Sequence, residues 1–238
     1  MAASERRASP RTAVVWDVLE PLLAGDRPLD VVDIGGGTGT SAVRVAAAGH
    51  RVTVVDPSPD ALAALDRRAR EAGVEVVGRQ GDLGDLLAVG GAAVADGADL
   101  VLCHGVLEVV DDPAAALATL REVLRPGGHL SLLLAQRHAA VVARAVAGHF
   151  GQALAVLQGE DGGRSGHRFT APEARDLLAG AGFEVDSVHG VRVFADLVPG
   201  SLLDLEPGAA GALVELERAV AGLPDYLALA TQLHLLAS

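Results

Sequence analysis

A glycine-rich segment carries the strongest chemical signal in this 238-residue sequence. It reads Val31-Val-Asp-Ile-Gly-Gly-Gly-Thr-Gly39 and joins a short apolar run to a helical pattern. Glycine adopts positive φ without a Cβ clash and lets a ligand lie close to the main chain. The N–H groups at the start of the following helix can donate to a carboxylate or a phosphate. Gly35, Gly36 and Gly37 are therefore candidate ligand-binding residues.

An aspartate follows the next β-branched run at a spacing that suits a nucleoside. Asp56 lies 21 residues after Gly35, directly after Arg51–Val55. In a doubly wound sheet this spacing places the carboxylate over the adjoining strand end, where it can accept both ribose hydroxyls. Together the two features predict a nucleoside-containing ligand. The alternative is a tight strand-to-helix turn in which Asp56 caps the next helix.

The acid inside the first strand bears on which nucleoside is bound. Gly37-x-Gly39-x-x-Ala42 satisfies a relaxed dinucleotide fingerprint, so a nicotinamide dinucleotide stays open as a ligand. Asp33 argues against it, because a carboxylate just before the glycines would repel a pyrophosphate. The same carboxylate can orient an ammonium group, directly or through water. Asp33 is therefore a further candidate cofactor-binding residue.

Four more segments follow the glycine turn in a familiar order. They are Val54-Val-Asp56, Gly81-Asp82, Ala98–His104 and Leu124-Arg-Pro-Gly-Gly-His-Leu-Ser131. Through these motifs, residues 30–135 resemble the class I S-adenosylmethionine (SAM)-dependent methyltransferases. The resemblance implies SAM as the cofactor and a Rossmann-like α/β fold, in which a doubly wound, seven-stranded, mostly parallel sheet carries helical additions.

A closer resemblance extends almost from end to end. It is carried by His104–Pro113, Val146–Phe150, Gly190–Phe194 and Leu213–Glu217. These segments look like the bacterial tRNA 5-carboxymethoxyuridine methyltransferases, an SmtA-like family. Members of that family transfer a methyl group to the carboxylate of a modified wobble uridine. The resemblance thus implies tRNA as the partner and a methyl ester as the product.

The resemblance also implies contacts to the methionine and ribose parts of SAM. Arg11 would pair with the methionine carboxylate, a role that suits the planar guanidinium fork. Gly35 and Gly36 would approach the methionine end and the ribose, and Asp56 would accept the ribose hydroxyls. The alternative for Arg11 is a solvated charge at the start of a helix.

Three further residues would meet the adenine and the sulfonium. The resemblance implies that Gly81 and Asp82 contact the adenine, with the Asp82 carboxylate accepting from the exocyclic amine. His104 would lie at the tip of the fourth strand, beside the sulfonium. The alternatives are that Asp82 is a turn residue and that His104 is a packed loop imidazole.

The expected reaction needs few catalytic groups. A sulfonium methyl is already activated and an ionised carboxylate attacks without a general base, so catalysis is mostly proximity and alignment. A cation must still position the acceptor acid. Arg192 is the first candidate for this cation. It lies in an apolar, strand-like run, where an arginine without a partner is costly. His104 is a second catalytic candidate. The alternative for Arg192 is a salt bridge to Asp196 or Asp186.

Three departures from the tRNA-modifying family leave the acceptor open. Leu134-Ala-Gln136 stands where that family has Phe-Tyr-Asn, and Leu197 replaces an aromatic residue. The region Gly159–Arg168 lacks the family's lysine tract, which reduces electrostatic attraction for RNA. A small-molecule carboxylate or hydroxyl is therefore the alternative acceptor. A nucleoside-binding module without catalysis is a third hypothesis.

Composition excludes several other classes. Hydrophobic residues make up 50% of the chain, which suffices for a continuous core. The net charge of -12 weighs against a broad polyanion-binding surface. Cys103 is the single cysteine, which excludes an intrachain disulfide and a thiolate metal cluster. The histidines lack metal-ligand spacing, and neither Ser41 nor Ser131 has an evident His or Asp partner.

We expect a cytoplasmic protein. No apolar run reaches the roughly 18–20 residues needed to span a bilayer. Arg6 and Arg7 are not followed by the apolar segment of a secretory signal. The sequence leaves the oligomeric state open.

The elements that must position these residues alternate along the chain, which indicates a parallel sheet covered on both faces. The predicted strands are Leu29–Ile34, Arg51–Val55, Val74–Val77, Asp99–Cys103, Leu130–Leu134, Phe183–Phe194 and Ala228–Leu236. The predicted helices are Thr12–Ala24, Thr40–Ala48, Pro59–Ala72, Pro113–Leu124, His138–Ala147, Thr170–Ala181 and Ala209–Ala221. We expect a disordered leader over residues 1–10 and one domain over 11–238, with a cofactor half (11–135) and an acceptor half (136–238).

Overall fold

The computed structural model describes residues 9–159 and 166–238. Most of the predicted leader and most of the Gly159–Arg168 loop therefore lie outside the described residues. Within the described part of the chain, no helix is long and apolar enough to cross a membrane. Over the same residues, no group of three or more His, Cys, Asp and Glu side chains is arranged to hold a metal ion.

The described chain contains helices and strands in alternation. The strands are β1 (Asp30–Ile34), β2 (Arg51–Asp56), β3 (Val77–Gln80), β4 (Ala98–His104), β5 (Leu124–Ala135), β6 (Val185–Val191) and β7 (Gln232–Ala237). The helices are α1 (Ala13–Leu23), α2 (Thr40–Ala47), α3 (Pro59–Ala72), α4 (Leu86–Val89), α5 (Ala92–Ala95), α6 (Pro113–Val123), α7 (Arg137–Val146), α8 (Phe150–Gln158), α9 (Ala171–Gly180), α10 (Gly200–Leu205), α11 (Ala209–Ala221) and α12 (Pro224–Leu227).

The seven strands form one sheet in the order β3-β2-β1-β4-β5-β7-β6. Strands β1 to β5 pair in parallel. Glu184 and Ser238, which flank β6 and β7, exchange two N–H···O bonds of 2.9 Å, the pattern of an antiparallel pair. The predicted fold class, a doubly wound and mostly parallel seven-stranded sheet, is confirmed. The strand order reverses between β1 and β4, which is where ligands bind in open α/β sheets.

Local sequence explains where the helix after β2 begins and ends. Ser58 precedes α3, and its Oγ accepts a hydrogen bond of 3.2 Å from the Ala61 N–H. Pro59 occupies the first turn, where its missing N–H costs no hydrogen bond. Gly73 ends the helix at φ 68°, in the left-handed conformation that glycine adopts readily. The predicted bounds of α3 are confirmed for this reason.

The chain divides into two compact units. One contains Pro21–Leu134, Pro172–Ser187 and Leu235–Ser238, and its core includes fully buried side chains of β1 and β4 such as Val32 and Leu102. We call it the glycine-turn unit. The other contains the described parts of Met1–Glu20, Ala135–Ala171 and Val188–His234. We call it the arginine unit. A cluster in its core joins Val193, Val220 and Ala230, with Phe194 and Tyr226 packed against it.

The third strand begins three residues later than predicted. The apolar residue Val74 belongs to the helix end rather than to a strand, because its N–H donates to Ala69 O at 3.0 Å across the Gly73 turn. Strand β3 therefore starts at Val77, where it pairs with Thr53 of β2.

Three other strand predictions were also wrong in their bounds. Strand β7 begins at Gln232 rather than at Ala228. Strand β5 starts at Leu124 and runs through the Pro126-Gly-Gly turn signal, with an irregular register beside Ala98 and Leu100 of β4. Strand β6 ends at Val191, so Arg192 lies in the following turn and not in a strand. Helices α8, α10 and α12 were not predicted. Residues 84–97, for which the sequence predicts one short helix and a loose connection, contain the two short helices α4 and α5.

Candidate functional site

A cleft of about 600 Å³ opens in the glycine-turn unit at the carboxyl ends of β1, β2 and β4. Its volume falls in the range of small-molecule and cofactor sites. The loops after these strands supply the walls, as expected at a point where the strand order reverses. The lining residues are Ile34, Gly35, Val55, Asp56, Pro57, Asp82, Leu83, Gly84, Gly105, Val106, Val109, Val110 and Asp111.

The first two glycines of the turn leave no space for a side chain. Gly35 has a φ of 64°, and a Cβ at this position would lie 2.6 Å from Val106 Cγ2. A Cβ at Gly36 would lie 2.6 Å from Asp33 Oδ2. A side chain here would press into the loop after β4 or the buried acid, so bare backbone forms this part of the site.

The Asp56 carboxylate is held by the backbone on both sides. It is 7% exposed and lies at the end of β2. Its Oδ2 accepts from the Gly37 N–H and its Oδ1 accepts from the Ser58 N–H, each at 2.9 Å. Each carboxylate oxygen can accept more than one hydrogen bond, so both can also accept from a ligand hydroxyl in the cleft. The turn role of Asp56 is therefore present and is compatible with the predicted ligand role.

Asp33 is a buried acid, and one of its carboxylate oxygens has no hydrogen-bond partner among the described residues. Its side chain is 3% exposed, and over the described residues its Oδ2 has no hydrogen-bond partner. Burial, together with the negative charge of Asp56, raises the pKa of this carboxyl to about 7. A cation beside the glycine turn would relieve both effects. A ligand with a positively charged centre therefore fits this position better than a pyrophosphate does.

Protein stability should reveal the Asp33 proton. Because its pKa is about 7 in the folded chain against 3.8 as the ordinary value, the folded state binds more protons between these values. The stability that this group contributes is complete below about pH 4 and is lost as the pH rises towards 7. Asp33→Asn removes the titration. In thermal unfolding, we expect the Tm of the variant to rise relative to that of the unmodified chain as the pH is raised from about 4 to 7.

Asp66→Asn serves as the matched control, because Asp66 is an exposed carboxylate on α3 in an ion pair with Arg70. Its Tm difference from the unmodified chain should not grow with pH in the same way. A constant difference for Asp33→Asn would contradict a raised pKa at this site.

Gly81 and Asp82 lie in the turn that follows β3. Asp82 lines the cleft, and its Oδ1 accepts from the N–H groups of Gly84 and Asp85 at 2.8 and 3.3 Å. Asp82 is therefore a turn residue, as the alternative predicted, and it also lines the cleft. The Gly81 N–H donates to the Asp56 carbonyl at 3.3 Å, which ties this turn to the end of β2.

His104 is the last residue of β4, as predicted, but it is not among the residues that line the cleft. Its Nε2 lies 2.8 Å from Ser131 Oγ on the neighbouring strand β5. Burial lowers the pKa of the imidazole to about 4, so the ring is neutral at pH 7. The prediction that Ser131 has no His partner was therefore wrong. Ser131 is fully buried, so this pair holds two strands together and exposes no nucleophile.

In the arginine unit, two guanidinium groups share one carboxylate. Asp196 Oδ2 contacts Arg192 Nη2, and its Oδ1 lies 3.2 Å from Arg11 Nη2. Arg192 Nη1 also donates to Gln232 Oε1 at 3.4 Å. The alternative pairing of Arg192 with Asp196 is therefore present, whereas Asp186 lies 3.6 Å from His129 instead. We call Arg11, Arg192 and Asp196 the arginine cluster; its formal charge is one positive unit.

Several lining residues were missed by the sequence analysis. Leu83 and Gly84 follow the Asp82 turn, and Gly105, Val106 and Val109 follow β4. The signal that could have found them is topological. Because β1 and β4 are neighbours on opposite sides of the reversal in strand order, the loop after β4 must face the glycine turn.

Comparisons with known proteins agree with this arrangement. Residues 32–130 match the family model described as "Methyltransferase domain". The chain is 32% identical to the tRNA 5-carboxymethoxyuridine methyltransferase of Escherichia coli (strain K12), over 95% of this chain and 87% of that protein. It is 37% identical to the ubiquinone biosynthesis O-methyltransferase of Ralstonia nicotianae, over 53% of this chain and 50% of that protein.

A solved structure shares the fold. The SAM-dependent methyltransferase from Mesorhizobium loti superposes with a TM-score of 0.60 at 22% identity, and the match covers 94% of this chain and 97% of that one. At this identity the likeness concerns the fold alone. The tRNA 5-carboxymethoxyuridine methyltransferase and this solved structure thus each match over nearly the whole chain.

Proposed function

The chain belongs to the SAM-dependent methyltransferases, and we propose that it methylates the carboxylate of 5-carboxymethoxyuridine at the wobble position of tRNA. The relative that supports this acceptor is similar over 95% of the chain, well beyond the cofactor-binding segments. The observation that carries the proposal is the arginine cluster. Within this cluster, Arg11 is proposed for the methionine carboxylate of the cofactor, and the planar guanidinium of Arg192 suits the carboxylate of the acceptor.

The glycine-turn unit is proposed to hold the cofactor, which supplies an activated methyl group on a sulfonium when it is bound. Asp56 would accept the ribose hydroxyls, and Gly35, Gly36 and Gly37 would give the backbone access that this requires. Asp33, whose buried Oδ2 has no hydrogen-bond partner among the described residues, would face the positively charged end.

The remaining contacts are proposed from the family resemblance. Gly81 and Asp82 would meet the adenine, and the position of Asp82 in the cleft wall supports this assignment. Arg11 would take the methionine carboxylate. His104 would lie near the sulfonium as a neutral ring, and with its pKa near 4 it would not add a repelling positive charge at neutral pH.

Arg192 is proposed to position the acceptor. Its side chain is 24% exposed, and over the described residues its Nε has no hydrogen-bond partner. Because this Nε is buried, an acceptor carboxylate would approach the exposed part of the guanidinium, where it would gain a charge-assisted hydrogen bond. Alignment of the carboxylate oxygen with the methyl group then accounts for most of the catalysis.

A small-molecule carboxylate is the second candidate acceptor. The chain carries a net charge of -12 and all its positive side chains are arginines, so it lacks the lysine tract that would attract RNA. Leu197, which is 59% exposed, also offers no ring on which a base could stack. These features favour a compact acid over a polyanion, while the arginine cluster serves either acceptor.

Methyl transfer in vitro separates the two acceptors. The purified chain would be incubated with methyl-labelled SAM and with tRNA that carries 5-carboxymethoxyuridine, the same tRNA without that modification, or a panel of small carboxylic acids. After nuclease digestion, mass spectrometry detects the methyl ester nucleoside. We expect the ester only with the modified tRNA. Label in a small acid and none in the tRNA would overturn the proposed acceptor and favour the second candidate.

A further inference from the structure

A fully buried carboxylate accepts hydrogen bonds from the backbone of the turn that carries Arg192. Glu217 lies on α11 and is 0% exposed. Its Oε2 accepts from the Val193 N–H at 2.9 Å, and its Oε1 accepts from the N–H groups of Phe194 and Ala195 at 2.8 and 2.7 Å. A buried carboxylate is costly unless it is hydrogen-bonded, and three consecutive backbone donors meet that need. Sequence similarity alone gives this residue no role.

The turn holds Arg192 in an unusual backbone conformation. Among the described residues it is the one non-glycine residue with a positive φ, at 61°. Side chains disfavour this region, so it persists only where the surroundings determine it. On one side, Thr231 donates to the Arg192 carbonyl from its N–H at 3.3 Å and from its Oγ1 at 3.2 Å. On the other side, Glu217 fixes the three residues that follow.

The backbone conformation determines where the guanidinium lies. Because Arg192 follows the end of β6 at positive φ, its side chain leaves the direction of the strand and reaches Asp196, four residues later. The residues between them, Val193 to Ala195, are the ones whose N–H groups Glu217 binds. A change in this turn would therefore move the guanidinium and its partner carboxylate relative to each other.

We propose that Glu217 is a positioning residue for methyl transfer, which acts through Arg192 by fixing the turn that aims its guanidinium at the acceptor carboxylate. This inference rests on the proposed role of Arg192. The Glu217 side chain is fully buried and its two oxygens are used by the backbone, so it does not contact the acceptor. Its effect is confined to acceptor binding and alignment.

Glu217→Gln tests the inference. The amide keeps one accepting oxygen but places an NH₂ group opposite a backbone N–H, so at least one of the three hydrogen bonds to the turn is lost. With tRNA carrying 5-carboxymethoxyuridine, we expect the KM for the acceptor to rise about tenfold, the size of losing one hydrogen bond to a charged group. The dissociation constant for S-adenosylhomocysteine, measured by calorimetry, should stay unchanged. Glu217→Asp keeps the charge on a shorter stem and should give a smaller rise.

Glu215→Gln is the matched control. Glu215 lies on the same helix, its side chain is 73% exposed, and it pairs with Arg218 at 2.8 Å. The chemical change is the same, but Glu215 has no contact with the Arg192 turn among the hydrogen bonds of the described residues. We expect its acceptor KM to equal that of the unmodified chain. If Glu217→Gln does not fold, the comparison of Glu217→Asp with Glu215→Asp replaces it.

A double-mutant cycle separates the inference from the proposed function. If Glu217 acts through Arg192, then Glu217→Gln adds nothing to the acceptor KM of Arg192→Ala. Additive effects, or a Glu217 variant with lowered Tm and a normal KM, would overturn the inference while leaving the role of Arg192 intact. An Arg192→Ala variant with normal kinetics would overturn both.

Discussion

Arg192→Ala should lower kcat/KM for the methyl acceptor by about 10- to 150-fold, while the affinity for SAM is unchanged. A hydrogen bond to a charged group contributes about 1.5–3 kcal/mol, which corresponds to this range. Arg192 is proposed to meet only the acceptor, so its loss leaves the glycine-turn unit intact. Steady-state kinetics with tRNA carrying 5-carboxymethoxyuridine measure the first effect, and calorimetry with S-adenosylhomocysteine measures the second.

Two further variants sharpen the Arg192 experiment. Arg192→Lys keeps the charge but loses the planar fork, so its kcat/KM should lie between those of the alanine variant and the unmodified chain. Arg70→Ala removes an arginine that is 72% exposed and paired with Asp66, and it should change neither quantity. Loss of cofactor affinity in Arg192→Ala, or unchanged turnover, would count against an acceptor role.

Asp56→Ala should weaken SAM binding by about 1–3 kcal/mol, or about 5- to 150-fold in Kd. The carboxylate is proposed to accept the ribose hydroxyls, and alanine offers no acceptor. The backbone N–H groups of Gly37 and Ser58 also lose their partner, so a fall in Tm should accompany the loss of affinity. Calorimetric titration with SAM and thermal unfolding measure the two effects separately.

The controls for Asp56 separate ligand binding from turn stability. Asp56→Asn keeps one oxygen that can accept from a backbone N–H, so it should recover much of the Tm and less of the affinity. Asp66→Ala makes the same chemical change on the exposed face of α3 and should leave SAM binding unchanged. Unaltered affinity in a folded Asp56→Ala protein would mean that the ribose lies elsewhere.

Features that depend on neighbouring residues could be predicted from the sequence. The glycine turn, Asp56 at the end of β2 and the capped helix α3 are each encoded within a few residues. Strand β3 was displaced in the prediction because the apolar character of Val74 has two explanations, a strand or a helix end. Only the hydrogen bond from Val74 to Ala69 distinguishes them.

Features that depend on distant residues could not be predicted. Ser131 and His104 are 27 residues apart, and their contact follows from the pairing of β4 with β5. Glu217 meets Val193 across 24 residues, and no spacing rule links a helix carboxylate to a turn so far away. The cleft residues after β4 could be predicted in part. The strand order indicates that this loop faces the cleft, but it does not indicate which of the loop's side chains line the cleft.

Calorimetric titration of the unmodified chain with SAM, S-adenosylhomocysteine and NAD tests the cofactor site most directly. The cleft at the ends of β1, β2 and β4 offers a ribose acceptor in Asp56, and the buried acid Asp33 lies against Gly36 of the glycine turn. We therefore expect the two sulfur-containing adenosines to bind and NAD to give no heat. Binding of NAD together with no binding of either sulfur compound would contradict the account.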